Sequence, residues 1–277
     1  MAKYLIGIIG YRNHSKKIYD IFKKNTNANF KIYVHKKIKS KKFINTNDTT
    51  YTYYLDELKS CNIIVITSPS ITHSKYINLF KSKKRYIFCE KPGVTNLKEL
   101  KNLNKLKQNE KNKIYFNFNY IQSDFYQIIN NCLKLKKYGN LVNIVVTCTH
   151  GLYFKNTNLK GRFNNSNLYE NIYGNLGIHY INLFVNLFQK VEIKTLTLIS
   201  TNKKKYYDTV SIILKINDKI NAYLFLSYST IFSQEIKFYL NNGMIEYNNK
   251  KIIEFFPRDS FDKSGKFKKP NQKIIKN

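Results

Sequence analysis

Short apolar runs alternate with helical patterns over the first 120 residues, and this rhythm does most to limit the folds that the chain can adopt. The run at 62–67, Asn-Ile-Ile-Val-Ile-Thr, is too apolar for a strand with one face in water and suits a central parallel strand. Helical periodicity appears before it, at 15–24, and after it, at 73–82. Strands that alternate with helices in this way predict an α/β fold, a doubly wound parallel sheet of the Rossmann type, over residues 1–120.

The pattern changes after residue 120. Helices are predicted at 123–135 and at about 175–189, and the apolar runs from 191 onward are typical of strands, including one long strand at 244–256. Short turns such as Asn217-Asp218 indicate antiparallel pairing. The sequence therefore predicts an α+β domain with an open, mostly antiparallel sheet over residues 121–277. Because an open sheet exposes a broad face, we expect a homo-oligomer, either a dimer or a tetramer.

The net charge of +31 calls for an explanation. Dense positive charge attracts phosphate, which raises nucleic acid or an anionic membrane as a partner. The lysines, however, are scattered through every segment rather than gathered in one stripe or tail. Lys, Asn, Ile, Tyr and Phe are enriched together, as a strongly AT-rich coding sequence would produce. Composition therefore favours no specific nucleic-acid partner, although binding that collapses with salt would support the alternative.

Other features of composition point to a cytoplasmic protein. No run of about 18 apolar residues predicts a membrane span. The apolar N-terminal run is short, lacks a small-residue cleavage site and turns polar at Arg12, so it suits a first strand better than a signal peptide. The four cysteines are widely spaced and suggest neither a disulfide framework nor a metal site.

A candidate phosphate loop follows the first strand. Dinucleotide folds carry glycines here so that backbone amides can approach the pyrophosphate at a helix N-terminus. Of the G-x-G-x-x-G pattern only Gly10 is kept, with Arg12 and Ser15 at the other two positions. The Arg12 guanidinium could contact phosphate instead, but a plain strand–helix turn explains the loop about as well. No acidic residue ends the second strand; Lys36 and Lys37 stand there and would suit a 2′-phosphate, which favours NADP over NAD.

Three further segments carry a more specific pattern. Thr67-Ser68-Pro69 with His73 follows the apolar third strand, Glu90-Lys91-Pro92 ends the next strand, and a Gly-x-His motif at 177–179 opens the helix of the second half. In this order and spacing they resemble the glucose–fructose oxidoreductase / inositol dehydrogenase / MocA (Gfo/Idh/MocA) family. The resemblance covers nearly the whole chain, including the Asn117–Asn119 strand end.

The resemblance implies an NAD(P)-dependent oxidoreductase that transfers a hydride between NAD or NADP and a secondary alcohol or ketone of a sugar, nucleotide sugar or cyclitol. It implies that His179 exchanges a proton with the substrate hydroxyl and that Lys91 donates a hydrogen bond to the same oxygen. It also implies that proline in Glu90-Lys91-Pro92 follows a cis or strained peptide bond.

Further site residues follow from the same motifs. The implied cofactor-binding residues are Gly10, Tyr11, Arg12, Ser15, Lys36, Thr67, Ser68, Pro69, His73, Glu90 and Asn119. The implied substrate-binding residues are Lys91, Arg162, Asn175 and His179. Asn175, His179 and Asn182 fall at i, i+4 and i+7, so one helix face would present all three. Taken alone, His179 fits a core histidine and His73 fits a packing residue of the next helix; the surrounding motif favours the functional interpretation of His179.

The chain departs from the family pattern at several positions. Asn175 and Asn182 stand where aspartates are usual, and Ile121 stands where an arginine is frequent. An amide cannot ionise, so Asn175 cannot raise the pKa of His179 as a neighbouring carboxylate would. These changes, with the reduced glycine loop, support a second hypothesis: a non-catalytic or regulatory nucleotide- or sugar-binding relative of the same fold.

Overall fold

The computed structural model describes residues 4–35, 43–151, 172–201, 207–249, 251–256 and 261–276. The chain forms two compact units, Met1–Asn117 and Phe118–Asn277, a division close to the predicted boundary after residue 120. Three residues singled out from the sequence, Lys36, Lys37 and Arg162, lie outside the described residues.

In the described part of the first unit, six strands form one parallel sheet. Its strands are β1 (Leu5–Ile9), β2 (Asn29–Tyr33), β3 (Thr49–Thr52), β4 (Ile63–Ile66), β5 (Tyr86–Cys89) and β6 (Ile114–Phe116). Their order across the sheet is β3-β2-β1-β4-β5-β6, and each neighbouring pair is parallel. The predicted doubly wound sheet is confirmed. Because the order reverses between β1 and β4, ligands of such a sheet bind outside the carboxyl ends of these two strands.

Helices connect these strands. They are α1 (Asn13–Asn25), α2 (His73–Phe80), α3 (Leu97–Asn104) and α4 (Gln108–Lys111), with 3₁₀ turns at Leu55–Ser60 and Ser70–Thr72. Ile64, Val65 and Ile66 of β4 are fully buried, as expected for a central strand covered on both faces. Between Leu97 and Lys111 the chain forms two short helices, α3 and α4, rather than one continuous helix.

In the described part of the second unit, eight strands form one sheet. They are β7 (Leu141–Thr149), β8 (Val191–Ile199), β9 (Thr209–Ile216), β10 (Ile220–Ser227), β11 (Ser233–Leu240), β12 (Gly243–Asn248), β13 (Lys251–Phe256) and β14 (Asn271–Lys276). The order is β14-β13-β12-β11-β7-β10-β9-β8. Within the described residues β7 and β10 are the one parallel pair, so the predicted mostly antiparallel sheet is confirmed.

The prediction of one long strand at 244–256 is wrong. The segment is a hairpin of β12 and β13, and its turn places Asn249 at a φ of 45°, a left-handed conformation that asparagine tolerates. The predicted turn at Asn217 and Asp218 is confirmed, with φ values of 47° and 61° that match the twist of a tight hairpin.

The core of the second unit lies between one face of the sheet and two helices, α5 (Asp124–Lys134) and α6 (Ile178–Leu187). Phe125 of α5 and Phe184 of α6 are buried with alternate strand residues such as Ile236 and Phe238. A π-helical turn, Tyr173–Gly177, leads directly into α6, and a 3₁₀ turn, Tyr120–Gln122, precedes α5.

The four cysteines all fall within the described residues and are buried free thiols. No helix among the described residues is both long and apolar enough to cross a membrane.

Candidate functional site

Gly10 directly follows β1 at the point where the strand order reverses. Its φ is 103°, in the left-handed region that disfavours any residue with a side chain. A Cβ at this position would lie 3.2 Å from Thr67 Oγ1 and 3.3 Å from the backbone nitrogen of Ser68. Glycine is therefore needed here both for the turn and for the close approach of the loop that follows β4. The bare backbone of Gly10 is the kind of surface that a pyrophosphate approaches.

A chain of hydroxyl groups fixes the start of α1 to the loop after β4. The Ser15 and Thr67 hydroxyl oxygens are 2.7 Å apart, and the Thr67 hydroxyl donates to the Ile9 carbonyl at 3.0 Å. Because Thr67 has one hydroxyl proton and a carbonyl can only accept, Ser15 must be the donor to Thr67. Ser15 is 2% exposed. Its side chain thus positions the loop, which is the packing role expected at the third glycine position.

The N-terminus of α1 faces the same end of the sheet. Arg12 is the residue before the helix and does not cap it with its side chain. The first amides of an α-helix have no partner within the helix, and their positive end attracts phosphate. Arg12 is exposed, so its guanidinium adds a second positive group at this end.

Tyr11 packs toward the β2–β3 side of the sheet. Its ring makes edge-to-face contacts with Tyr19, Phe43 and Tyr51 at centroid distances of 6.1, 6.0 and 5.6 Å. The side chain is half-buried among these rings. The Tyr11 side chain is thus engaged with other aromatic rings, and its predicted contact with a cofactor stays a prediction.

The loop from Thr67 to Thr72 is held by its own polar groups. The Thr72 hydroxyl donates to the Pro69 carbonyl at 2.7 Å, so the Ser68 hydroxyl is the donor in its 2.6 Å contact with Thr72. His73 follows at the start of α2 and is 1% exposed. Its ring nitrogens lie 2.7 Å from the carbonyl oxygens of Pro92 and Ser68. The ring therefore contacts backbone inside the unit rather than the surface where a cofactor would lie.

Glu90, after β5, is a carboxylate at the same end of the sheet. It is 9% exposed, and its Oε1 accepts from Asn117 Nδ2 at 2.7 Å and lies 3.0 Å from His14 Nε2. The next residue, Lys91, is half-buried, and the Lys91–Pro92 peptide bond is cis, as the resemblance implied. Sequence reasoning did not identify His14 and Asn117 as partners of Glu90. Asn119 is exposed at the start of the second unit.

His179 lies on α6 of the second unit, between two aromatic rings. Phe118 and Tyr120 meet its ring edge to face, each at a centroid distance of 6.3 Å. The Tyr120 hydroxyl accepts from Gln234 Nε2 at 2.7 Å and donates to the Tyr180 hydroxyl at 3.3 Å. Burial raises the pKa of Tyr120 to about 12, so its hydroxyl stays protonated and fixed near pH 7. The histidine ring is therefore held by a rigid, neutral aromatic wall.

Asn175 lies within the π-helical turn rather than in α6. The predicted common face of Asn175, His179 and Asn182 assumed α-helical spacing, and that spacing does not hold between Asn175 and His179. The Asn175 side chain instead donates to the Tyr228 hydroxyl at 2.9 Å.

A polar cluster that sequence reasoning missed forms around this contact. The ring of His150 lies 4.7 Å from that of Tyr228, with an interplanar angle of 30°. His150 follows β7 and Tyr228 follows β10. Because these strands pair in parallel, both residues lie at the same end of the sheet. Asn175, His150 and Tyr228 together present an amide, an imidazole and a phenol. A signal was present in the sequence, since both rings directly follow long apolar strands.

Burial lowers the pKa of His150 below its ordinary value of 6.5. We therefore expect the ring to be neutral at pH 7, with a titration midpoint below 6.5 in proton NMR spectra assigned by comparison with His150→Asn. Because the folded state holds this proton more weakly than the unfolded state, His150 should make the fold less stable as pH falls through the window below 6.5. A midpoint at or above 6.5 would contradict this expectation.

Together these features define a class of protein: a Rossmann unit with a glycine turn at its switch point, in a chain that continues into an α+β unit with an open sheet. Residues 4–118 match the model of the Gfo/Idh/MocA family, described as an oxidoreductase family with an NAD-binding Rossmann fold. Over this segment the chain is similar to that family, so the resemblance inferred from the motifs is confirmed.

Solved structures share the fold over most of the chain. An NAD-binding oxidoreductase from Klebsiella pneumoniae aligns with a TM-score of 0.79 at 14% identity, covering 99% of this chain and 80% of the other. A 3-ketoreductase from Actinomadura kijaniata, in complex with NADP and TDP-benzene, aligns with a TM-score of 0.77 at 11% identity, covering 99% and 85%. A myo-inositol dehydrogenase from Corynebacterium glutamicum aligns with a TM-score of 0.72 at 16% identity, covering 90% and 76%. No protein of curated function matches the sequence.

Proposed function

We propose that the protein is an NAD(P)-dependent oxidoreductase that transfers a hydride between NAD or NADP and a secondary alcohol or ketone of a sugar, nucleotide sugar or cyclitol. The observation that carries this proposal is the backbone cradle at Gly10. A Cβ there would fill the space beside Thr67 and Ser68, and the first amides of α1 lie at the same end of the sheet. These residues fit a dinucleotide pyrophosphate. The bound cofactor would supply the hydride chemistry, and the chain would supply binding, position and proton transfer.

Lys91 and His179 are the residues that we propose act on the substrate. An ammonium group can donate a hydrogen bond to the reacting oxygen and stabilise negative charge that develops on it. An imidazole can take the hydroxyl proton near neutral pH. The rigid wall of Phe118 and Tyr120 supports this role, because a proton acceptor must be held in one orientation.

A hydroxyl-bearing substrate suits the polar cluster of the second unit. Asn175, His150 and Tyr228 offer neutral donors and acceptors, since burial lowers the pKa of His150. Neutral groups of this kind recognise hydroxyls by hydrogen bonds, whereas a phosphate or carboxylate would call for fixed positive charge. Similarity in fold to a myo-inositol dehydrogenase and a 3-ketoreductase supports the same class of substrate. We favour NADP over NAD on the strength of Lys36 and Lys37 alone.

A second candidate is a non-catalytic nucleotide- or sugar-binding relative. It is favoured by the amides at Asn175 and Asn182 in place of carboxylates, because an amide cannot hold His179 in a charged state. The Asn175 side-chain amide also donates a hydrogen bond to the Tyr228 hydroxyl, so this side chain already has a structural role.

Two measurements on the purified chain separate these candidates. We expect the fluorescence of NADH or NADPH to change on binding, and we expect turnover of at least one member of a panel of inositols and nucleotide sugars. Tight cofactor binding without turnover across the panel would support the second candidate. Failure to bind either cofactor would overturn the oxidoreductase proposal.

A further inference from the structure

His73 is a buried titratable group whose hydrogen bonds restrict its chemistry. Its Nδ1 lies 2.7 Å from the Pro92 carbonyl oxygen, and its Nε2 lies 2.7 Å from the Ser68 carbonyl oxygen. The side chain is 1% exposed, so water does not compete for either nitrogen. These two contacts join the loop after β4 to the loop after β5, within the first unit.

Both partners of the ring are backbone carbonyls, and a carbonyl oxygen cannot donate a hydrogen bond. Neutral imidazole has one N–H group and one bare nitrogen, so either tautomer would place a lone pair against a carbonyl lone pair at 2.7 Å. A ring flip does not help, because it would place C–H groups instead of nitrogens against the two carbonyl oxygens. Only the imidazolium, with two N–H donors, satisfies both contacts.

We propose that His73 is a positioning residue carried as a buried imidazolium, with one N–H group on Ser68 and the other on Pro92, and that it thereby fixes the loop that bears Lys91. This proposal deepens the oxidoreductase proposal and its catalytic consequence rests on it. Two charge-assisted hydrogen bonds replace the water that the cation gives up on burial.

The charged and titratable groups around this ring fit such a cation. From the loop after β5, Glu90 and Lys91 precede Pro92, and Glu90 Oε1 is already shared by Asn117 and His14. On α2, Lys75 is exposed, and burial raises the pKa of Tyr76, so that phenol stays neutral. The loop after β4 contributes hydroxyl groups and no charge between Thr67 and Thr72. The two hydrogen-bond partners of the ring are carbonyl oxygens, which stabilise a cation through their dipoles.

The two hydrogen bonds of the His73 ring reach loops that belong to the proposed site. Pro92 directly follows Lys91, and Ser68 directly follows Thr67, which lies beside Gly10. Loss of the contact with Pro92 would release the loop that carries the ammonium group, while the hydrogen bonds of Thr67 with Ser15 and Ile9 still hold the loop beside Gly10. A displacement of about 1 Å in a catalytic group can lower turnover by about 100-fold.

NMR of the wild-type chain tests the protonation state directly. The chain has five histidines, so selective ¹⁵N-histidine labelling gives five ring spin systems. Single Gln variants of His14, His35, His150 and His179 assign four of them and leave His73 by elimination. At about pH 8, well above the ordinary histidine pKa of about 6.5, we expect long-range ¹H–¹⁵N spectra to show two protonated nitrogens for His73. One protonated and one bare nitrogen would overturn the proposal, whether or not the protein turns over any substrate.

Kinetics of His73→Gln then test the positioning role. We expect kcat to fall by about 100-fold, which is the effect of displacing one catalytic group by about 1 Å. The dissociation constant for NADPH or NADH should change less than about threefold. Tyr76→Phe is the matched control, because it alters a buried ring of the same helix and should leave kcat near the wild-type value. An equal loss of kcat in both variants, or an unchanged kcat in His73→Gln, would overturn the positioning role. If the wild-type chain shows no turnover at all, the oxidoreductase proposal fails and the NMR result alone decides the state of His73.

Discussion

Replacing His179 with glutamine is expected to lower kcat by about 10²- to 10⁴-fold, the contribution typical of a general acid–base group. Glutamine keeps a polar side chain of similar reach but cannot accept and release a proton near neutral pH. His179 lies on α6 of the second unit, whereas the proposed pyrophosphate cradle lies in the first. We therefore expect the dissociation constant for NADPH or NADH, measured by fluorescence, to stay within about threefold of the wild-type value. In binding free energy this is less than half of the roughly 1.4 kcal/mol that a tenfold change represents.

The control for this variant is Asn186→Ala on the same helix. Asn186 is exposed and its side chain donates to the Asn182 carbonyl within the helix, so its removal should leave kcat unchanged. Lys91→Met is the companion variant, because methionine keeps the length of the side chain and removes its charge. Wild-type turnover in both His179→Gln and Lys91→Met would refute the proposed chemistry, while loss of cofactor binding in either would indicate a structural role.

The parts of the fold that follow from the sequence are those set by local periodicity. The run at 62–67 predicts a central strand because it is almost wholly apolar, and β4 lies at the centre of its sheet with Ile64, Val65 and Ile66 fully buried. β3 was missed because Thr49-Thr50-Tyr51-Thr52 lacks an apolar run, and it forms through its pairing with β2. β14 was missed for a similar reason, since its lysines and polar residues resemble a terminal tail. In both cases strand formation depends on a neighbour that is distant in sequence.

The candidate site shows the same division. Its motifs could be located from the sequence, because those of the first unit follow strands, the Gly-x-His motif opens a helix, and all carry Gly, Pro or His at a characteristic spacing. The contacts that define each side chain's task join residues far apart in the chain: Ser15 with Thr67, His14 with Glu90, and His150 with Tyr228. A local pattern can show that a residue follows a strand, as for His150 and Tyr228, but it does not show which distant residue it contacts. The π-helical turn at Tyr173–Gly177 was equally hidden, because its residues fit an α-helical pattern as well.

Substituting alanine for Gly10 is expected to weaken dinucleotide binding at least tenfold. The glycine has a φ of 103°, and holding a residue with a side chain in such a conformation costs about 1–3 kcal/mol. The new Cβ would also lie only 3.2 Å from Thr67 Oγ1 and 3.3 Å from the Ser68 nitrogen, so the loop after β4 would have to move. Both effects act on the backbone that a pyrophosphate approaches. Fluorescence titration with NADPH and NADH gives the change in affinity, and thermal unfolding gives the change in stability.

Gly265→Ala separates backbone strain from loss of the cradle. Gly265 has a comparable φ of 82°, but nothing lies within 4 Å of the position that its Cβ would take. This control should therefore lose some stability through strain while it keeps wild-type affinity for the dinucleotide. If Gly10→Ala binds NADPH and NADH as tightly as Gly265→Ala does, the dinucleotide is held elsewhere, because a side chain in the cradle cannot coexist with a pyrophosphate that rests on the Gly10 backbone.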